Sequence, residues 1–408
     1  MLISRRLQVH VLTVFVGFFT LTTLSLHPAH AVDPEPSRAV PVVIDCDRGD
    51  RPADVLARNR TADAFEIRGS CELAETLRLE RDDVALRGAP GASLSGAGLV
   101  VHGASGVSLE NLAVRRVLGT AIKITGGAEA HLSGLLVEQA EVGVMFVASS
   151  GEMVEITVRD QQLAGIWSRA SHVVLGGRID VSNSGVAGVV ATESGVLTVT
   201  DPQTHLETTG SFFGVLLQES GSLVFEQGTL AARRNAGDGF RLYGRGFMVQ
   251  TDGLLIAEEN GGFGLSAAQS ADWIISLTTK FRTASRLVGN AAGGALVVGG
   301  STATLFGAEI HDNGNFGVLV DAAAIVPLRD TKIRDNELAG ILISFGSVVS
   351  FFERNTIDDA VICQEPILVR GTLGCDAGAS TTMSPEVLGK VEHAVRAAMR
   401  APQLRLPR

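Results

Sequence analysis

The chain has 408 residues, 45% of them hydrophobic, with 47 Gly, 12 Pro, 2 Trp and 1 Tyr. A formal net charge of -10 and a pI near 5.4 exclude the basic stripe of a nucleic-acid binder, so no nucleic acid is expected as a partner. The shortage of Trp and Tyr also weighs against a carbohydrate enzyme, whose sites usually stack aromatic faces on sugar rings.

Residues 1–31 read as a signal peptide. Arg5 and Arg6 supply a basic start, Leu12 to Leu26 an apolar run, and Ala29-His30-Ala31 a cleavage site before Val32. The run is short for a membrane span and is broken by Thr and Ser, so the expectation is a secreted, periplasmic or cell-surface protein with no transmembrane anchor after cleavage. Residues 32–97 read as a lead-in and N-terminal cap, with strand-like pieces at Val42–Ile44, Phe65–Ile67, Leu77–Leu79 and Val84–Leu86 around a short helical stretch, Ala53–Asn59.

From residue 98 a glycine followed by an apolar pair returns at Gly98, Gly143, Gly165, Gly188, Gly214, Gly239, Gly264, Gly294, Gly317 and Gly340, with Ala121 standing in once, at steps of 22 to 30 residues. Such a period marks a solenoid, whose repeats bury their apolar faces only against one another. Each repeat holds three short strands rich in Val, Ile and Leu: one after the glycine, one after a small-residue turn such as Ser194-Gly195, and one about 14 residues after the glycine. Helical spacing is absent. Three strands per repeat predict an all-β, right-handed parallel β-helix of about 11 rungs over residues 98–357, with rungs about 4.8 Å apart.

Asn235, Asn260, Asn290, Asn313 and Asn336 each lie four residues before a repeat's glycine. Stacked asparagines can hydrogen-bond to one another, and asparagine tolerates the left-handed conformation that such turns need. The four cysteines fall into pairs at the two ends, Cys46 with Cys71 and Cys363 with Cys375. Three pairings are possible; the local one is favoured because a solenoid keeps its ends apart, and no C-x-x-C spacing suggests a metal. Residues 358–408 then carry a disulfide loop and a C-terminal capping helix. Ser384-Pro385-Glu386 is a helix start, and Val387, Leu388, Val391, Val395 and Met399 lie on one face.

This repeat, its turns and its asparagine column make the chain resemble the right-handed parallel β-helix proteins, the superfamily of pectate lyases, polygalacturonases and alginate epimerases. The resemblance implies the fold and brings polysaccharide into view as a ligand, but the motifs of activity do not carry over. The Gly-His-Gly and Arg-Ile-Lys of polygalacturonases are missing, Lys332-Ile333-Arg334 being the nearest piece. The clustered acids of a calcium-dependent lyase are not found on successive rungs. Asp201-Pro202-Gln203-Thr204-His205 is similar to the Asp-Pro-His-Asp of alginate epimerases but has Gln and Thr where the histidine and second acid belong; a plain Asp-Pro turn is the simpler reading. No cofactor or metal is expected. The expected function is a non-catalytic binding or scaffold surface, with a polysaccharide lyase, epimerase or hydrolase of diverged site as the alternative.

Strand alternation adds two expectations about faces. On the strand after each glycine the second and fourth residues point outward. That set is apolar at Val100, Met145, Val147, Val190, Leu216, Leu296, Val298, Leu319 and Leu342. An exposed stripe of this length calls for a cover, whether the C-terminal helix, a partner or a second copy in a homo-oligomer. In the middle of the array the same face brings together Trp167, Arg169, Glu193, Gln218, Glu219, Arg241, Tyr243 and Arg245, the candidate ligand-binding residues. The longest step, from 264 to 294, carries an insert around Lys280, Arg282 and Arg286.

Overall fold

The glycine that opens each repeat answers to crowding. A Cβ on Gly264 would stand 2.8 Å from Asn290 Nδ2 and 2.9 Å from the carbonyl oxygen of Gly294, and one on Gly239 would stand 2.8 Å from both Asn260 Nδ2 and the Gly264 oxygen. Each such glycine therefore lets one rung's backbone close on the next and on the asparagine beneath it, a close approach that only a residue without a side chain permits.

The computed structural model describes residues 40–275, 285–352, 354–363 and 368–370, with single positions at 389, 390 and 393. The strands that follow the glycines stack into one all-parallel wall of 13 strands, from Leu77–Leu79 to Val361–Cys363. The remaining 27 strands form a second sheet that folds into two further walls. Strands Ser150–Arg159 and His172–Ser182 run through both of these walls, and their pairing slips between Val154 and Ile156 at the corner. The result is a three-walled parallel β-solenoid of about 13 turns, against the 11 expected. The two extra rungs escaped the glycine series because Thr76 and Ala360 hold the lead position ahead of Leu77 and Val361, which pair with Leu99 and Ile341.

Inside, identical offsets become columns. Ile122, Val144, Ile166, Val189, Val215, Phe240 and Leu265 succeed one another in register along the first wall, each no more than 1% exposed. Complete burial of such a side chain contributes about 1.5–3 kcal/mol.

The parallel ladder begins upstream of residue 98, where Val42–Asp45 pairs with Ala64–Arg68. In that first turn the helix Pro52–Arg58, with Pro at its first position, packs against the terminal strand Leu77–Leu79 where a further strand of the first wall would lie. Val55 is its buried anchor. Arg81 ties the chain leaving this helix, donating to the carbonyl oxygens of Arg60 and Ala62. A disulfide joins Cys46 to Cys71. Cys363 is also disulfide-bonded; its expected partner Cys375 lies outside the described residues, as do the expected signal peptide, the insert at 276–284 and most of the expected C-terminal helix. Of that helix, Gly389, Lys390 and His393 are described, and all three are helical.

The asparagine ladder is continuous. Nδ2 of Asn235, Asn260, Asn290 and Asn313 donates to Oδ1 of the next asparagine at 3.0, 2.9, 3.1 and 2.9 Å, and Asn336 ends the series on Asp359 at 2.8 Å. Each Oδ1 also accepts the backbone N–H of the asparagine one rung earlier. The left-handed residue of each turn is the one before the asparagine, namely Arg234, Glu259, Gly289, Asp312 and Asp335, with φ between 52° and 67°; the asparagine itself is retained for its amide.

Asn290, 0% exposed, offers the clearest test. Alanine there orphans the buried donors of Asn260, each worth about 1–3 kcal/mol. Denaturant unfolding of Asn290→Ala should show a loss of about 3 kcal/mol, and Gly264→Ala a loss of about 1–3 kcal/mol through overpacking.

Candidate functional site

The outward positions of the first wall read correctly as to direction but not as to exposure. Met145, Trp167, Val190 and Leu216 form one ladder column, and Leu296, Leu319 and Leu342 continue it further along. All seven are 6% exposed or less. They fall into two outer clusters, distinct from the interior core; Val100 and Val147 alone of the stripe remain half-exposed.

Between these clusters, in the same column, stands Arg241. It follows Leu216 and precedes Ser266. Its Nη1 donates to Asp238 Oδ2 at 2.9 Å, and that carboxylate also accepts from Ser266 Oγ at 2.7 Å and from the Phe263 backbone N–H at 2.9 Å. The guanidinium lies 5.1 Å from the Phe213 ring centroid and 6.0 Å from that of Tyr243. Arg241 and Asp238 are 5% and 6% exposed, so this pair is a buried polar knot on the outer side of the wall.

The eight candidate residues therefore do not converge. Trp167 is 1% exposed and donates through Nε1 to Thr192 Oγ1 at 3.0 Å. Gln218 is buried beside Tyr243, its ladder partner. The exposed members, Glu193, Glu219 and Arg245, lie in the left-handed turns that end this wall, at φ of 51°, 52° and 67°. Half-buried Arg169 pairs across one rung with Glu193 at 2.8 Å.

That corner carries a feature the sequence reading passed over. A shallow groove of about 480 Å³ runs over successive turns, lined by Ser149, Ser150, Ser171, His172, Ser194 and Val196 together with Gly127, Ala148 and Ala170. His172 Nε2 lies 3.0 Å from Thr198 Oγ1, and Ser171 Oγ donates to the Arg169 carbonyl at 2.8 Å. Its signal was present in the recurring serines after each first-wall strand, which read only as turn formers. Asp238, three residues before Arg241, was likewise missed because acid and base at that spacing in a turn carry no pattern of their own.

The third wall bears a ladder of charges. Glu138 meets Arg115 at 2.9 Å and also Arg159, while Arg233 joins Glu207 and Glu258 at 3.1 Å each, and Arg286 reaches Glu258 at 3.3 Å. Partial burial pushes the Glu207 carboxyl up, but hydrogen bonds from His205 and Arg233 and their charge outweigh it, holding the group below the ordinary carboxylate range. Its contribution to stability is thus present above the ordinary carboxylate value and fades as pH falls through the lowered one.

Asp201-Pro202 forms a plain turn, with Asp201 Oδ1 accepting the Gln203 N–H at 2.9 Å. Among the described residues no group of three or more His, Cys, Asp or Glu could hold a metal, and no helix is long and apolar enough to cross a membrane.

The stacked parallel walls define a β-solenoid with three strands per turn. Residues 208–372 match the family model described as right handed beta helix region, and the fold is a right-handed parallel β-helix. No curated protein matches its sequence. Among solved structures it is similar to the periplasmic alginate epimerase AlgG, at 11% identity over 76% of this chain and 78% of that one, TM-score 0.46. It is also similar to the A-module of mannuronan C-5 epimerase AlgE6 of Azotobacter vinelandii, at 15% over 79% and 92%, TM-score 0.31. A third likeness is to the receptor-binding protein of bacteriophage Det7, a podoviral tailspike in a myovirus, at 11% over 83% and 78%, TM-score 0.43. At such identities these likenesses concern the fold.

Removing one partner of a buried ion pair costs about 3–5 kcal/mol. Asp238→Ala should therefore lower the unfolding free energy by roughly that amount, whereas Glu193→Ala, at the exposed pair, should change it by less than about 1 kcal/mol; equilibrium denaturation of both variants checks the contrast.

Proposed function

We propose that this chain is an extracytoplasmic β-helix protein that binds polysaccharide in its corner groove without cleaving it. The carrying observation is the groove itself: hydroxyls of Ser149, Ser150 and Ser194 with the His172 ring, repeated over successive turns beside the Arg169–Glu193 pair. A hydroxyl both donates and accepts, which suits the hydroxyls of a sugar chain, and the rung spacing of about 4.8 Å sets these groups in a row along which an extended polymer can lie. Arg169, Glu193, Glu219 and Arg245 would meet charged or polar substituents from the edge, while Trp167, Gln218 and Arg241 lie buried on the outer side of the wall. The Cys46–Cys71 disulfide suits an oxidising compartment, in keeping with export.

Affinity electrophoresis through gels containing neutral or uronate polysaccharides tests this. The intact chain should be retarded by at least one polymer, and the double variant Arg169→Ala, His172→Ala should lose about 10-fold or more in affinity, since each good contact is worth roughly 1 kcal/mol. Retardation by none of them, or retention unchanged in the variant, would contradict the groove as the site. Appearance of unsaturated, ultraviolet-absorbing product from a uronate polymer would replace the binding reading with that of a lyase.

A further inference from the structure

The cap helix does not close fully on the end of the solenoid. Between helix Pro52–Arg58 and strand Leu77–Leu79 lies a cavity of about 600 Å³, a size that suits a small organic ligand. Its floor is apolar: Leu77, Leu79 and Val84 are 3% exposed or less, and Leu56 reaches it from the helix. Ala53 and Ala57, four residues apart and so on one side of the helix, also line it, and their short side chains keep the space open. Strand Leu77–Leu79 is paired along one edge, with Leu99–His102. The Leu77 N–H donates to the Gly98 carbonyl on that edge, so the N–H of Arg78 turns to the other edge, toward the helix.

We propose that this cavity binds an organic anion built of a carboxylate head and a single apolar chain. Arg60, Arg78 and Arg81 line it against one acid, Glu80. Glu80 meets Arg78 at 3.5 Å, and among the described residues neither Arg60 nor Arg81 has a carboxylate partner. Both donate to main-chain carbonyls instead, Arg60 Nε to Ala57 at 3.3 Å and the Arg81 Nη groups to Arg60 and Ala62. Carbonyls fix a guanidinium in place without neutralising it, so two uncompensated positive charges stand over an apolar floor in a chain of net charge -10. Arg81 Nε is buried with no hydrogen-bond partner; a buried donor left unpaired is costly, and a carboxylate supplies the acceptor. The guanidinium fork matches the geometry of a carboxylate, and the Arg78 N–H adds a further donor. Leu56, Leu77 and Leu79 then take the methylenes, whose removal from water favours binding. The cavity shares no residue with the corner groove, so this inference stands apart from the polysaccharide reading.

Isothermal titration calorimetry of the full chain with decanoate, kept below its micelle-forming concentration, tests it. Decanoate should bind, octanoate should bind about 10-fold more weakly for its two missing methylenes, and decyltrimethylammonium should give no binding heat. Arg60→Glu should weaken decanoate by at least about 10-fold, and Ala57→Trp should fill the cavity and abolish binding; both positions are exposed. No binding of decanoate, equal binding of decanoate and decyltrimethylammonium, or a decanoate affinity unchanged in both variants would overturn the proposal. So would attachment to vesicles of an anionic phospholipid by a chain that ignores free decanoate, which would make the arginines a membrane contact.

Discussion

The fold depends on how closely one rung may approach the next at the turn that carries the asparagines. There a glycine carbonyl, a carboxamide and the backbone of the rung before it all meet within hydrogen-bonding or contact distance. Any side chain at the glycine would wedge the rungs apart. Any loss of the amide would leave buried donors with no acceptor. The apolar interior supplies most of the driving force, but it would accept many registers, since one aliphatic residue stacks on another about as well as on a third. The ladder discriminates among them, because an amide is satisfied only when the next amide lies one rung away.

Register, once set, dictates what the outer faces can do. On the first wall it lines up apolar residues into two buried outer clusters and places the buried Arg241–Asp238 pair between them. On the third wall the same regularity alternates arginine with glutamate, so that neighbouring rungs attract one another; such exposed pairs add little individually and keep the surface hydrated. The corner after the first wall sets hydroxyls in a row along a groove, which is why the binding reading settles there.

Much of this was legible in the sequence. The glycine series and Asn235–Asn336 carried fold, rung period and ladder, because those features are local and repeat. The terminal rungs at Leu77 and Val361 were not, since Thr76 and Ala360 stand where the series has its glycine. Strand alternation assigned direction correctly to Trp167, Leu216 and Arg241, yet direction is a property of one strand and burial is a property of whatever lies over it. A pattern confined to one strand cannot show what lies over it. The groove serines failed for a different reason: serine in a tight turn has a sufficient structural role, so nothing in the sequence marked Ser149, Ser171 and Ser194 as also lining a surface.

The account stands or falls on the ladder as a buried, fully hydrogen-bonded column. Nitrogen-15 NMR of the selectively labelled chain can follow the carboxamide protons of Asn260, Asn290 and Asn313, whose Nδ2 groups donate both to the next asparagine and to a carbonyl one rung back. These protons should exchange with solvent as slowly as the strand amides of the surrounding rungs, while the half-buried Asn355 exchanges faster. Exchange of the three at the rate of an exposed side chain would contradict the account.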